Sequence, residues 1–132
     1  MGFENKTYPD ELDFYVPFNW DNRKIWALQL PVETALVKDW IWHLDLPFWS
    51  TVPKQPLFNL RPREVLENPK EHPIHWERIE RADIGFPVET LRVNNRWVIL
   101  DGIHRLARLA RDGAVEFLIR RVPESAVSLI SV

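Results

Sequence analysis

Asp101, His104 and Arg105 fall within five consecutive residues, with Gly102 among them. Together they offer a carboxylate that can take a metal ion or a proton, an imidazole, and a planar guanidinium suited to two-point binding of an oxyanion. Their flanks say how they are presented. Trp97 to Leu100 is an apolar run too short for a helix and rich in β-branched and aromatic residues, the pattern of a buried strand. Asp101-Gly102 stops it. From Ile103 the period becomes helical, with Ile103, Leu106, Ala107 and Ala110 on one arc and His104, Arg105, Arg108, Arg111 and Asp112 on another. Gly113 comes next as a C-terminal cap. A strand, a tight turn and a helix that opens on a cationic face outline a phosphate site. The first amides of such a helix lack intrahelical partners, and its dipole favours an anion there. The same residues admit a plainer reading, with Asp101 as N-cap, Gly102 as turn residue and the basic side chains as a solvated face.

The stretch Val98-Ile99-Leu100-Asp101-Gly102-Ile103-His104-Arg105-Leu106-Ala107, with Gly113 and the strand Val115 to Val122 after it, resembles the ParB/sulfiredoxin-like superfamily. The likeness covers roughly Phe86 to Pro123. In that group a strand ends in a short Gly-containing turn and a His-Arg or Arg-Arg pair that binds nucleotide phosphates. Of its members, the free-serine kinases have the turn most similar to Asp101-Gly102-Ile103-His104-Arg105. Two departures narrow what the resemblance implies. Sulfiredoxin needs a cysteine immediately before the His-Arg pair, where this chain has Ile103 and no cysteine anywhere, so sulfinic-acid reduction is not expected. Partition ParB proteins continue into a helix-turn-helix and a dimerisation domain, whereas this sequence ends about ten residues after its last strand. A partition role is not expected either.

The whole chain fits one domain over residues 1–132, of which 45% are hydrophobic, with seven Trp and seven Phe to fill a core. The net charge of −2 argues against general affinity for nucleic acid. Charge is unevenly spread: residues 92–121 hold seven Arg against Asp101, Asp112 and Glu116, while residues 1–91 hold ten basic and fifteen acidic side chains. The positive segment coincides with the motif, which favours a small anionic ligand over a long polyanion. Without cysteine there is neither a disulfide framework nor a thiolate site. No apolar run has membrane-spanning length and no signal-peptide core is present, so the expected setting is cytoplasmic, with no membrane partner.

The elements that must position the motif can be read from pattern. Residues 1–22 read as an irregular, aromatic-rich arm, with Pro9 and Pro17 as breakers, whose Tyr8, Phe14, Tyr15, Phe18 and Trp20 pack onto the domain. Ile25 to Pro31 reads as a first strand, and Thr34 as the N-cap of a helix through Leu44 whose Leu36, Val37, Trp40, Ile41 and Leu44 face the core. Pro47, Pro53 and Pro56 hold the next stretch extended. Pro62 opens a short helix through Glu67, and Pro73 another over Ile74 to Ala82. Phe86 to Val93 alternates as a strand, and Asn94-Asn95 is a two-residue hairpin turn that feeds Arg96 into the central strand.

These readings give an α+β fold: a mixed sheet with flanking helices, ParB/sulfiredoxin-like, with residues 86–123 as its motif-bearing core. The expected function is recognition of a nucleotide (ATP, ADP or CTP) by Asp101, Gly102, Ile103, His104 and Arg105. The amides would cradle phosphate, His104 and Arg105 would neutralise it, and Asp101 would order the turn or hold Mg²⁺. In an enzyme of this kind, phosphoryl transfer to a small hydroxyl acceptor, or hydrolysis, needs a carboxylate base. Asp45, flanked by apolar residues and Pro47, and Asp101 are the candidates. Glu33 and Glu64 are weaker, and the N-terminal carboxylate used by free-serine kinases has no residue-by-residue match here. The competing class is a non-catalytic module that senses nucleotide or anchors a partner; a nuclease is disfavoured by the acidic first 91 residues. His72 and His75 make an H-x-x-H without a third ligand at a usual spacing, and His43 reads as structural. Trp49, Trp76, Phe48 and Phe58 offer faces for base stacking or, more simply, core packing.

Overall fold

In the computed structural model, which describes residues 10–12, 15–52 and 57–132, the chain is a small α+β domain built on a four-stranded mixed sheet. The strands are β1 (Val32–Leu36), β2 (Val88–Val93), β3 (Arg96–Asp101) and β4 (Glu116–Val122), in the order β1-β4-β2-β3. β2 and β3 form the antiparallel hairpin that Asn94-Asn95 announces; both Asn residues take positive φ, 51° and 63°, as a primed turn requires. β4 returns parallel to β2 after the helix α4 (Ile103–Arg111), and β1 pairs antiparallel with the outer side of β4.

Side-chain alternation along the strands feeds two cores. Val88, Ile99, Phe117 and Ile119 join Leu106 and Ala107 of α4, Val65 of α2 (Pro62–Glu67) and Ile79 of α3 (Pro73–Arg81). On the other side Leu91, Val98, Leu100 and Val122 meet Ile25 of α1 (Asn22–Trp26), Ile130 of α5 (Val127–Ile130), and Leu12, Tyr15 and Val16. Pro62 and Pro73 suit the first turns of their helices, because that position needs no N–H donor. Gly113, at φ 72°, ends α4 as the sequence predicts.

Two expectations fail in the segment before β2. Ile25 to Pro31 is not a strand: Asp21 accepts the Arg23 amide at 2.9 Å and caps α1 instead, which turns Ile25 fully into the core. The first strand is Val32–Leu36, an edge strand with little burial and hence little periodicity to read. Thr34 therefore lies within β1 opposite Leu118 and caps nothing. The chain over 37–45 forms two 3-10 turns, Val37–Asp39 and Ile41–Asp45, rather than an α-helix. The His43 imidazole explains much of this. Its Nδ1–H donates to the Trp40 carbonyl at 2.7 Å, and its Nε2 accepts the Ile99 amide at 3.1 Å. A tertiary bond to the sheet thus overrides a helical pattern that is rich in β-branched and aromatic residues.

In the N-terminal arm, Tyr15 is buried and its hydroxyl donates to the Ile99 carbonyl, while Phe18 and Trp20 pack against the second core. Tyr8, Pro9, Phe14, Pro53 and Pro56 lie outside the described residues. Among the described residues no helix is long and apolar enough to cross a membrane.

Candidate functional site

The site forms where β3 ends. Thr90 pairs with Ile99, but Glu89 pairs with Asp101, so β3 carries one extra residue there. Such a bulge bends the strand and re-aims the residues after it. Gly102 then takes φ 119°, a conformation strained for any residue with a side chain, and a Cβ at this position would lie 3.0 Å from Val88 Cγ2. The close approach of the turn to β2 needs glycine on both counts.

Asp101 is not the N-cap of α4. Gly102 occupies that position, and no side chain caps the helix. The first intrahelical bond is from the Leu106 amide to the Gly102 carbonyl at 3.0 Å, so the amides of Ile103, His104 and Arg105 have no intrahelical acceptor. The Asp101 carboxylate is drawn aside: Oδ2 accepts the Trp26 indole N–H at 2.8 Å and lies 3.8 Å from Arg105 Nη2. With an indole donor and a guanidinium both on one oxygen, ordering the turn is the role its contacts support best, ahead of holding a resident cation. Among the described residues there is no group of three or more His, Asp or Glu side chains placed to hold a metal ion.

Arg105 folds back over the turn and donates through Nη1 to the Pro87 carbonyl at 3.0 Å. Its side chain is only 19% exposed, so its place on the polar arc does not make it a free surface residue.

His104 differs most from expectation. Its ring stacks on Trp49 with centroids 4.1 Å apart, and Trp49 also stacks on His75 at 4.6 Å. The His75 Nε2–H donates to the Ser50 carbonyl at 3.0 Å, which leaves His75 Nδ1 to accept the Nε2–H of His104 at 3.3 Å. Burial, with the neighbouring His75 and Arg78 adding to it, depresses the His104 pKa to about 3. The imidazole is therefore neutral near pH 7 and does not supply the positive charge expected of it. In this arrangement it holds the first turn of α4 against Trp49, with Nδ1 unprotonated.

The helix start opens onto a cleft of about 520 Å³ between α3 and the β3–α4 turn, within the size range of small-molecule sites. Asp101, Gly102, His104 and Arg105 line one side of it; Glu77, Arg78, Arg81 and Asp83 line the other. The cationic contribution of α3 goes unnoticed in the sequence, although its signal is there. Glu77, Arg78 and Arg81 recur at helical spacing on the polar side of an amphipathic segment, and Arg81 is 3.0 Å from Glu77. Ile103 contributes its backbone to the helix start, while its side chain packs against the first core.

Asp45 is not among the residues lining this cleft. It is ion-paired with Arg63, whose Nη2 reaches Oδ2 at 3.2 Å, and the hydrogen bond from Arg63 holds the carboxyl below the usual range. The Arg61 guanidinium binds the Asp45 carbonyl. Glu33 pairs with Arg121 at 3.2 Å, and Glu64 caps α2 by accepting the Arg61 amide at 3.0 Å. His72 begins α3 as its cap residue, and its charge adds to the lowering of the His75 pKa, after burial and Arg78. Trp49 is buried in the core and serves as the floor for the two imidazoles. Trp76 lies under Arg111, 5.3 Å from ring centroid to guanidinium carbon. Comparison with family models, with curated proteins and with solved structures finds no match.

Proposed function

We propose that the cleft at the start of α4 binds the phosphate groups of a nucleotide, as the resemblance to ParB/sulfiredoxin-like domains implies. The observation that carries this reading is the uncapped α4 N-terminus behind a left-handed Gly102. Three amides without intrahelical acceptors meet a cleft that also receives Arg78, Arg81 and Arg105. The amides of Ile103, His104 and Arg105 would cradle the phosphate, and the arginines, rather than His104, would supply the charge. Asp101 acts as a positioning residue by fixing Trp26 and Arg105. The ParB/sulfiredoxin-like assignment itself rests on Asp101-Gly102-Ile103-His104-Arg105 and on the strand–turn–helix–strand order around it.

Phosphoryl transfer or hydrolysis is the second reading. It is favoured by Glu77 and Asp83, which line the same cleft and put carboxylates within its reach. Mg²⁺ would then arrive with the nucleotide. A thermal-shift series with ATP, ADP and CTP, each with and without Mg²⁺, tests binding. A ligand at a hundred times its Kd should stabilise the fold by about 2.7 kcal/mol. Release of phosphate or diphosphate, alone or with small alcohols present, separates turnover from binding. Stabilisation without product leaves the sensing module; no stabilisation by any nucleotide removes both readings.

A further inference from the structure

We propose that a second cleft, on the far side of Arg105 from the phosphate site, takes the planar base of the same nucleotide. This rests on the phosphate reading above and adds a base subsite to it. The cleft holds about 510 Å³ and is lined mainly by Trp26, Val32, Phe86 and Pro87, with the Glu89–Arg120 pair at its inner end. Arg105 lines both clefts, so a ligand with its phosphates at the α4 start has only one side chain to cross to place a ring here.

Three features point to an aromatic occupant. Trp26 is 55% exposed and Phe86 61%, large apolar surfaces that a folded domain usually covers. The Trp26 indole is not loose, because its N–H is bonded to Asp101 Oδ2, the residue that ends β3. A π-face is thereby oriented by the same turn that forms the phosphate site. The inner end is rigid and already satisfied. Arg120 makes two 2.8 Å contacts to the Glu89 carboxylate and donates to the Ile25 and Leu28 carbonyls at 2.8 and 2.7 Å. With no free charge at that end, the cleft suits a neutral planar ring and offers nothing to a second phosphate.

The test compares ATP with inorganic tripolyphosphate, which has the phosphates and no ring, by calorimetric titration of the parent, Phe86→Ala, Phe86→Trp and Arg105→Ala. Phe86 is outside both cores, so its replacement should leave the urea midpoint unchanged. The parent is expected to bind ATP at least tenfold more tightly than tripolyphosphate. Phe86→Ala should weaken ATP about tenfold with tripolyphosphate unaffected, Phe86→Trp should restore ATP, and Arg105→Ala should weaken both. Equal affinity for ATP and tripolyphosphate, or an ATP affinity untouched by Phe86→Ala, overturns the base subsite while the phosphate site stands. If Phe86→Ala instead dissociates a dimer and leaves ATP binding alone, the cleft is covered by a second copy and the inference is wrong. Failure of both ligands to bind the parent overturns the phosphate site and the base subsite together.

Discussion

The Arg105 guanidinium donates to the Pro87 carbonyl at 3.0 Å, tying the first turn of α4 to the residue that leads into β2. A single side chain therefore braces the fold and lines the cleft at the start of α4. Arg105→Ala is expected to cost about 0.5–1.5 kcal/mol of stability, the usual worth of a hydrogen bond. It should also lower nucleotide affinity about ten- to a hundredfold through loss of a charged contact. Leu106→Ala, at a fully buried position, should cost about 2–5 kcal/mol from its cavity. Arg111→Ala, at the other end of the helix, should leave affinity unchanged. Urea midpoints and titrations on the three variants check the pattern; an Arg105→Ala variant that binds as tightly as the parent contradicts it.

Gly102→Ala places a methyl group against Val88 and Arg105 Nη1 at a φ of 119°. Backbone strain of this kind costs about 1–3 kcal/mol, and displacement of Arg105 should weaken nucleotide binding as well. A variant of parental stability and affinity would show that the turn does not need its left-handed conformation.

Three imidazoles make stability pH-dependent, since burial lowers the pKa of His75 as well as those of His43 and His104. Burial holds His43 at a pKa of about 4 and His104 at about 3, both below the ordinary value of 6.5. A histidine whose folded pKa is depressed resists protonation only when folded. Its contribution is full above pH 6.5 and is lost as pH falls toward the folded value. Each such group gives a slope of up to about 1.4 kcal/mol per pH unit in that window. Urea midpoints should fall between about pH 7 and pH 5, and less steeply in His104→Gln. A His104→Gln profile as steep as the parent's would mean that His104 takes up its proton as readily folded as unfolded, against its burial.

Glu89 and Arg120 are buried on the β2–β4 ladder with every guanidinium contact to protein. Arg120→Leu leaves the Glu89 carboxylate uncompensated and should cost about 3–5 kcal/mol. Glu89→Gln paired with Arg120→Leu should recover part of that loss. Chemical denaturation of the two variants checks it, and a near-neutral Arg120→Leu would contradict the burial of the pair.

The sequence carries the second half of this fold openly and the first half poorly, for physical reasons. β2, β3, α4 and β4 are well buried, so Val88 to Val122 shows short apolar runs and, in α4, a helical period, with Asn94-Asn95 and Gly113 as punctuation. α2 and α3 are marked by Pro62 and Pro73. β1 is an exposed edge strand whose existence depends on β4, and 37–45 is shaped by the His43 bond to Ile99. Neither leaves a local pattern. At the site, the turn and the helix start are legible from Asp101-Gly102 and the arc of α4. The neutral state of His104 is not, because it depends on Trp49 and His75, far away in the chain. Nor is the Trp26–Asp101 bond, since the indole comes from a segment with the pattern of a strand.

The backbone amides of α4 give the most direct test. In ¹H–¹⁵N spectra of the labelled protein titrated with ATP, the amide signals of Ile103, His104 and Arg105 should move most, and saturably, with Gly102 beside them. The same signals should move with tripolyphosphate. Saturable shifts confined to other parts of the chain, with these three amides unmoved, would contradict a phosphate site at the start of α4.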